Sequence, residues 1–105
     1  MAAGRNRPVV EIARRYAQVL REAHAPFESV WLFGSAAAGQ DTEDSDIDIA
    51  VVMREVAERF SAEMGLMKAR RSIDLRIEPH VLTSEEWESQ FYGKSIKETG
   101  VRVDN

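Results

Sequence analysis

Asp46 and Asp48 flank one isoleucine at the head of an apolar, β-branched run, and ten residues separate Asp46 from the pair Gly34-Ser35. Side chains two apart on a β-strand share a face. Both carboxylates of Asp-Ile-Asp therefore project together, while Ile47, Ile49 and Val51 turn the other way. Two hard oxygen donors fixed on one strand suit Mg²⁺, or Mn²⁺ in its place, because such an ion is commonly held by one or two carboxylates plus substrate phosphates. A glycine turn beside them lets a phosphate approach backbone N–H groups. The chemistry this set points to is metal-assisted handling of a phosphorylated substrate.

The surrounding elements must hold these residues in place. Val9, Ile12, Ala13, Tyr16, Leu20 and Ala23 recur at helical spacing, which predicts an amphipathic helix with Pro8 in its first turn, after a loose end over residues 1–6. It should end near Ala25, since Pro26 disfavours helical geometry in the residue before it. Ser29–Phe33 reads as a strand stopped by Gly34, residues 35–38 as the start of a short helix ended by Gly39, and residues 40–45 as an acidic, solvated loop. Asp46–Met53 is the second strand. Val56, Phe60, Met64 and Met67, spaced by four, four and three, predict a helix within Arg54–Arg71 whose methionines fill the core. Ile73–Ile77 alternates like a third strand, with Asp74 and Arg76 on one face and Pro79 ending it. Thr83-Ser84-Glu85-Glu86 is a capping box opening a helix to about Tyr92. Gly93, a polar segment and a strand at Val101–Val103 complete the chain.

At 105 residues this reads as one domain, small for an enzyme that holds two substrates unaided, so a homo- or hetero-oligomer is the natural expectation. The net charge of -4 argues against direct DNA or RNA binding, which calls for a basic patch, but not against a nucleotide whose charge a metal offsets. With no cysteine, disulfides, thiolate catalysis and zinc–thiolate sites are excluded. No stretch approaches the roughly 20 apolar residues of a membrane span. The N-terminus lacks the apolar core of a secretory signal, so the expected location is cytoplasmic.

VWLFGS, SDIDIAVV, SIDLRI, the capped TSEEW helix and the IKETGVRV tail together resemble the DNA polymerase beta-like nucleotidyltransferase superfamily. The likeness is closest to its minimal single-domain members, the MNT proteins often paired with HEPN-domain proteins as toxin and antitoxin. The resemblance implies an α+β fold, a small mixed β-sheet with helices packed on it. It further implies two-metal transfer of a nucleotide, AMP from ATP or a moiety from another NTP, to a hydroxyl acceptor such as a tyrosine of a HEPN toxin. Asp46 and Asp48 would bind the divalent ions, Asp74 would be the third carboxylate beside the attacking hydroxyl, and Gly34 and Ser35 would contact the β and γ phosphates. The physical logic agrees, because positioning and charge neutralisation carry most of the rate in phosphoryl-type transfer.

One departure bears on activity. The group commonly carries arginines after Gly-Ser, where this chain has Ala36 and Ala38. Arg70, Arg71, Arg76, Lys94 and Lys97 are candidate substitutes. The alternative function is therefore an inactive module of the same fold that acts by binding a partner. Three like charges gathered without metal would repel one another, which favours retained metal binding. Asp44, Asp46, Asp48 and Glu55 mimic an EF-hand loop, but Ile49 stands where that loop needs glycine. No Walker-type Gly-Lys-Ser/Thr is present. His24 and His80 read as surface residues, and Trp31 and Trp87 as packed ones. Trp87, Phe91 and Tyr92 together would mark a partner surface if exposed.

Overall fold

β-branched residues and a near absence of polar groups make Ile47–Met53 the strand most suited to burial on both faces, and it lies inside the sheet. The structure, a computed structural model, describes residues 7–54, 59–89 and 93–105. In chain order, helix α1 (Arg7–Glu22) precedes strands β1 (Phe27–Phe33) and β2 (Ile47–Met53). Helix α2 (Arg59–Ala69), a 3₁₀ turn (Arg70–Ser72) and strand β3 (Ile77–Thr83) follow. Helices α3 (Ser84–Glu88) and α4 (Gly93–Thr99) and strand β4 (Val101–Arg102) end the chain. The sheet order is β3-β2-β1-β4, with β2 parallel to β3 and antiparallel to β1, and β1 antiparallel to β4. Mixed pairing on a small sheet with helices is the α+β architecture expected.

Alternation along β2 divides the core. Ile47, Ile49 and Val51 face α1 and α2, joining Ala13, Tyr16, Leu20, Val30, Leu32 and Leu66. Ala50 and Val52 face the short C-terminal helices, joining Leu82, Trp87 and Ile96 with Trp31 and Phe33 against them. The two tryptophans pack, as their sequence context suggests: their rings lie 5.0 Å apart, and Trp87 is buried, so it belongs to no exposed aromatic surface. Phe91, Tyr92, Val56, Glu55 and residues 1–6 lie outside the described residues.

α1 ends as a Schellman motif: Ala25 N–H donates to the Leu20 carbonyl and His24 N–H to that of Arg21, with His24 at φ 60°. The capping box forms as read, Thr83 accepting from the Glu86 amide while the Glu86 side chain accepts from that of Thr83. Among the described residues no helix is long and apolar enough to cross a membrane.

Four expectations about these elements are corrected. The stripe read on α2 faces outward, Phe60 being 76% and Met64 43% exposed, while Leu66 with Ala62 and Ala69 meets the core. Periodicity reveals an apolar stripe but not which stripe packs; the smaller one lets α2 come close enough to α1 for Tyr16 Oη to donate to the Leu66 carbonyl at 2.6 Å. Ile73–Ile77 is a turn, and β3 starts at its last residue. Asp74 Oδ1 captures the Arg76 amide two residues on, and the Arg70 guanidinium donates to the carbonyls of Leu75 and Ile77, both tightening the turn. Pro79 sits inside β3 rather than ending it, because an edge strand tolerates the missing N–H. Finally, the polar segment after Gly93 is helical; a single buried anchor, Ile96, leaves no periodic signal.

Candidate active site

The C-terminal end of β1 and the N-terminal ends of β2 and β3 meet at one end of the sheet. Phe33 is the register partner of Asp48. The next residue, Gly34, has φ 76°, and a Cβ there would stand 2.6 Å from Asp48 Oδ2. Only glycine permits both that backbone conformation and so close an approach. Residues 34–39 form successive turns rather than the short helix expected, with Ala38 N–H donating to Gly34, Gly39 to Ala36 and Gln40 to Ser35. The Ala36 methyl is buried in the main core, whereas Ser35 and Ala38 are exposed. Ser35 is thus open to solvent directly after the glycine that abuts Asp48.

Asp46 immediately precedes β2 and is exposed, while Asp48 lies within the strand and is half-buried. Asp74 is elsewhere in kind: its carboxylate accepts from Arg76 Nη2 at 2.9 Å and Nε at 3.1 Å. Arg76 in turn donates to the Glu43 carbonyl at 3.2 Å, and its own carbonyl accepts from Ile47 N–H at 2.8 Å. Those hydrogen bonds to Arg76 hold the Asp74 carboxyl below the usual carboxylate range against the opposing effect of burial. Asp74 and Arg76 therefore brace the acidic loop leading into Asp46.

The register of β3 brings forward a different carboxylate. Ile47 pairs with Ile77 and Val51 with Val81, all in the main core, so the intervening partners Asp48 and Glu78 share the opposite face. Glu78 is exposed at that end of the sheet. Its place on the strand escapes alternation read from Ile73, four residues before β3 begins; Val81, Leu82 and the capping box after them are the available signal. His80, two residues on, is exposed as expected, yet its Nε2 lies 3.2 Å from Asp48 Oδ1, within hydrogen-bond reach.

Among the described residues no three acidic or histidine side chains already enclose a metal position. The donor chemistry nevertheless fits a divalent cation, which takes one or two carboxylates and completes its shell with substrate phosphates and water. Of the candidate cations, Arg76 is committed to Asp74, Arg70 to carbonyls of its own turn, and Lys97 to Glu88 and the Trp87 ring. Arg71 and Lys94 are exposed.

The family model described as polymerase beta, nucleotidyltransferase matches residues 17–102, which takes in the glycine turn, Asp46, Asp48 and Glu78. The chain belongs to this nucleotidyltransferase family. It is 33% identical over 96 residues to "Putative protein adenylyltransferase MJ1379" of Methanocaldococcus jannaschii, across 90% of this chain and 94% of that protein. Two solved structures share the fold. A toxin–antitoxin MntA–HpeT mutant superposes with a TM-score of 0.63 at 20% identity, covering 85% of this chain and 69% of the other. A toxin–antitoxin with AMP-PNP gives 0.64 at 22% identity, covering 86% and 71%.

Proposed function

We propose that the chain is a cytoplasmic, metal-dependent nucleotidyltransferase that moves AMP from ATP, or a nucleotide from another NTP, to a hydroxyl on a partner protein. The observation that carries this reading is the contact between Gly34 and Asp48, which makes a phosphate-binding turn and a metal-binding carboxylate parts of one site. Gly34 and Ser35 hold the β and γ phosphates through backbone N–H groups and the serine hydroxyl. Asp46 and Asp48 are the metal ligands. Mg²⁺ or Mn²⁺ held by Asp46 and Asp48 would offset the charge that builds on the phosphates. The acceptor oxygen forms a bond to the α-phosphorus as the bond from that phosphorus to the bridging oxygen breaks; pyrophosphate leaves. The acceptor's proton passes to the third carboxylate. We assign that role to Glu78 in preference to Asp74, because Asp74 is already held by Arg76 and Glu78 is the register partner of Asp48.

The resemblance names the acceptor as a tyrosine of a HEPN-type toxin, with this chain as the antitoxin, and the toxin–antitoxin assemblies of the same fold support a protein partner. The second reading, a module that neutralises a partner by contact alone, is favoured by Ala36 and Ala38: one is buried, the other short, and neither supplies a cation. ATP labelled at the α-phosphate, incubated with Mg²⁺, this chain and its co-purified partner, separates the two. Label on the partner that falls to background with Asp48→Asn supports transfer. Tight complex formation with no label in either protein supports the module.

A further inference from the structure

A groove of about 500 Å³ opens beside Asp48 and runs over β3, with Phe33, His80, Leu82 and Ile96 along it and Glu63 and Glu86 among its walls. It is within the size range of small-molecule sites. Two contacts join it to the site above: His80 Nε2 lies 3.2 Å from Asp48 Oδ1, and Phe33 directly precedes Gly34. The Phe33 and His80 rings meet edge to face with centroids 5.2 Å apart. Planar rings stack on such surfaces. Among the described residues the lining carries no lysine or arginine; the Glu86 carboxylate is held by the Thr83 amide and Arg59, so Glu63 is the wall that can accept from an N–H donor on a ligand.

We propose that this groove holds the nucleobase of the bound nucleotide, its ring against Phe33 and His80 and an exocyclic amine toward Glu63. The proposal rests on the nucleotidyl-transfer reading, which puts the triphosphate at Gly34-Ser35 and leaves the base to be housed on the same face. An amine-bearing base such as adenine fits the lining better than uracil, which has no such donor to offer.

Titration calorimetry with Mg·ATP and with Mg·tripolyphosphate tests it, comparing the wild-type chain with Phe33→Leu, which keeps apolar volume and removes the ring. Loss of one base-stacking surface should weaken ATP about tenfold while leaving tripolyphosphate unchanged. Equal weakening of both ligands, or no change for ATP, overturns the assignment while the transfer reading stands. If the wild-type chain binds neither ligand, both fall together.

Discussion

At the residue scale, Gly34, Asp48 and Glu78 have separable proposed duties. The glycine-serine turn and the Asp-Ile-Asp pair were legible because side-chain type, spacing and the predicted strand all agreed. The surroundings of the proposed third carboxylate were not: Ile73-Asp74-Leu75-Arg76-Ile77 alternates like a strand, and nothing in one sequence reveals that Asp74 bonds Arg76 to make a turn while Glu78 pairs with Asp48. Exchanging each acid for its amide tells the two apart. Glu78→Gln should lower the rate of label transfer by about 10²-fold or more, the scale of a lost proton acceptor. Asp74→Asn should keep most of the rate and instead cost about 1 kcal/mol in stability through the weakened brace on Arg76. The reverse pattern in transfer kinetics and denaturant unfolding would restore Asp74 to the site.

At the element scale, secondary structure followed sequence wherever local chemistry fixed it, as in the Thr83 cap and the apolar face of α1. It departed where tertiary contacts decide. α2 presents Ala62, Leu66 and Ala69 inward and leaves Phe60 and Met64 in solvent, a choice that lets Tyr16 reach one of the four last carbonyls of α2. Burial holds the Tyr16 hydroxyl protonated far above the ordinary tyrosine range despite the opposing charge of Arg70, so it stays a donor. Tyr16→Phe removes the hydroxyl that donates to the Leu66 carbonyl across the helix pair and should destabilise the fold by about 1–3 kcal/mol. Equilibrium urea unfolding measures this, and a midpoint equal to wild type would show that the bond contributes nothing.

At the scale of the whole molecule, acidic groups tie distant parts of the chain together. Asp74 is held by Arg76, Glu86 by the Thr83 amide and Arg59, and Asp104 by Arg102 and the Val30 amide in spite of burial. Each has a carboxyl lowered in the folded state, so the unfolded chain takes up protons first as pH falls. Their contribution is fully present above the ordinary carboxylate range and is lost as pH drops below about 4. Calorimetric Tm should thus be level near neutrality and fall on acidification; a Tm that holds or rises there would contradict the assignment. One end of the sheet, in the function proposed, joins a phosphate grip at Gly34-Ser35 to a metal-binding pair at Asp46 and Asp48. Crystals grown with Mn²⁺ and a non-hydrolysable ATP analogue, measured at the manganese absorption edge, test it most directly. We expect anomalous density at Asp46 and Asp48, with the triphosphate over Gly34-Ser35. Manganese and nucleotide found away from those four residues would contradict it.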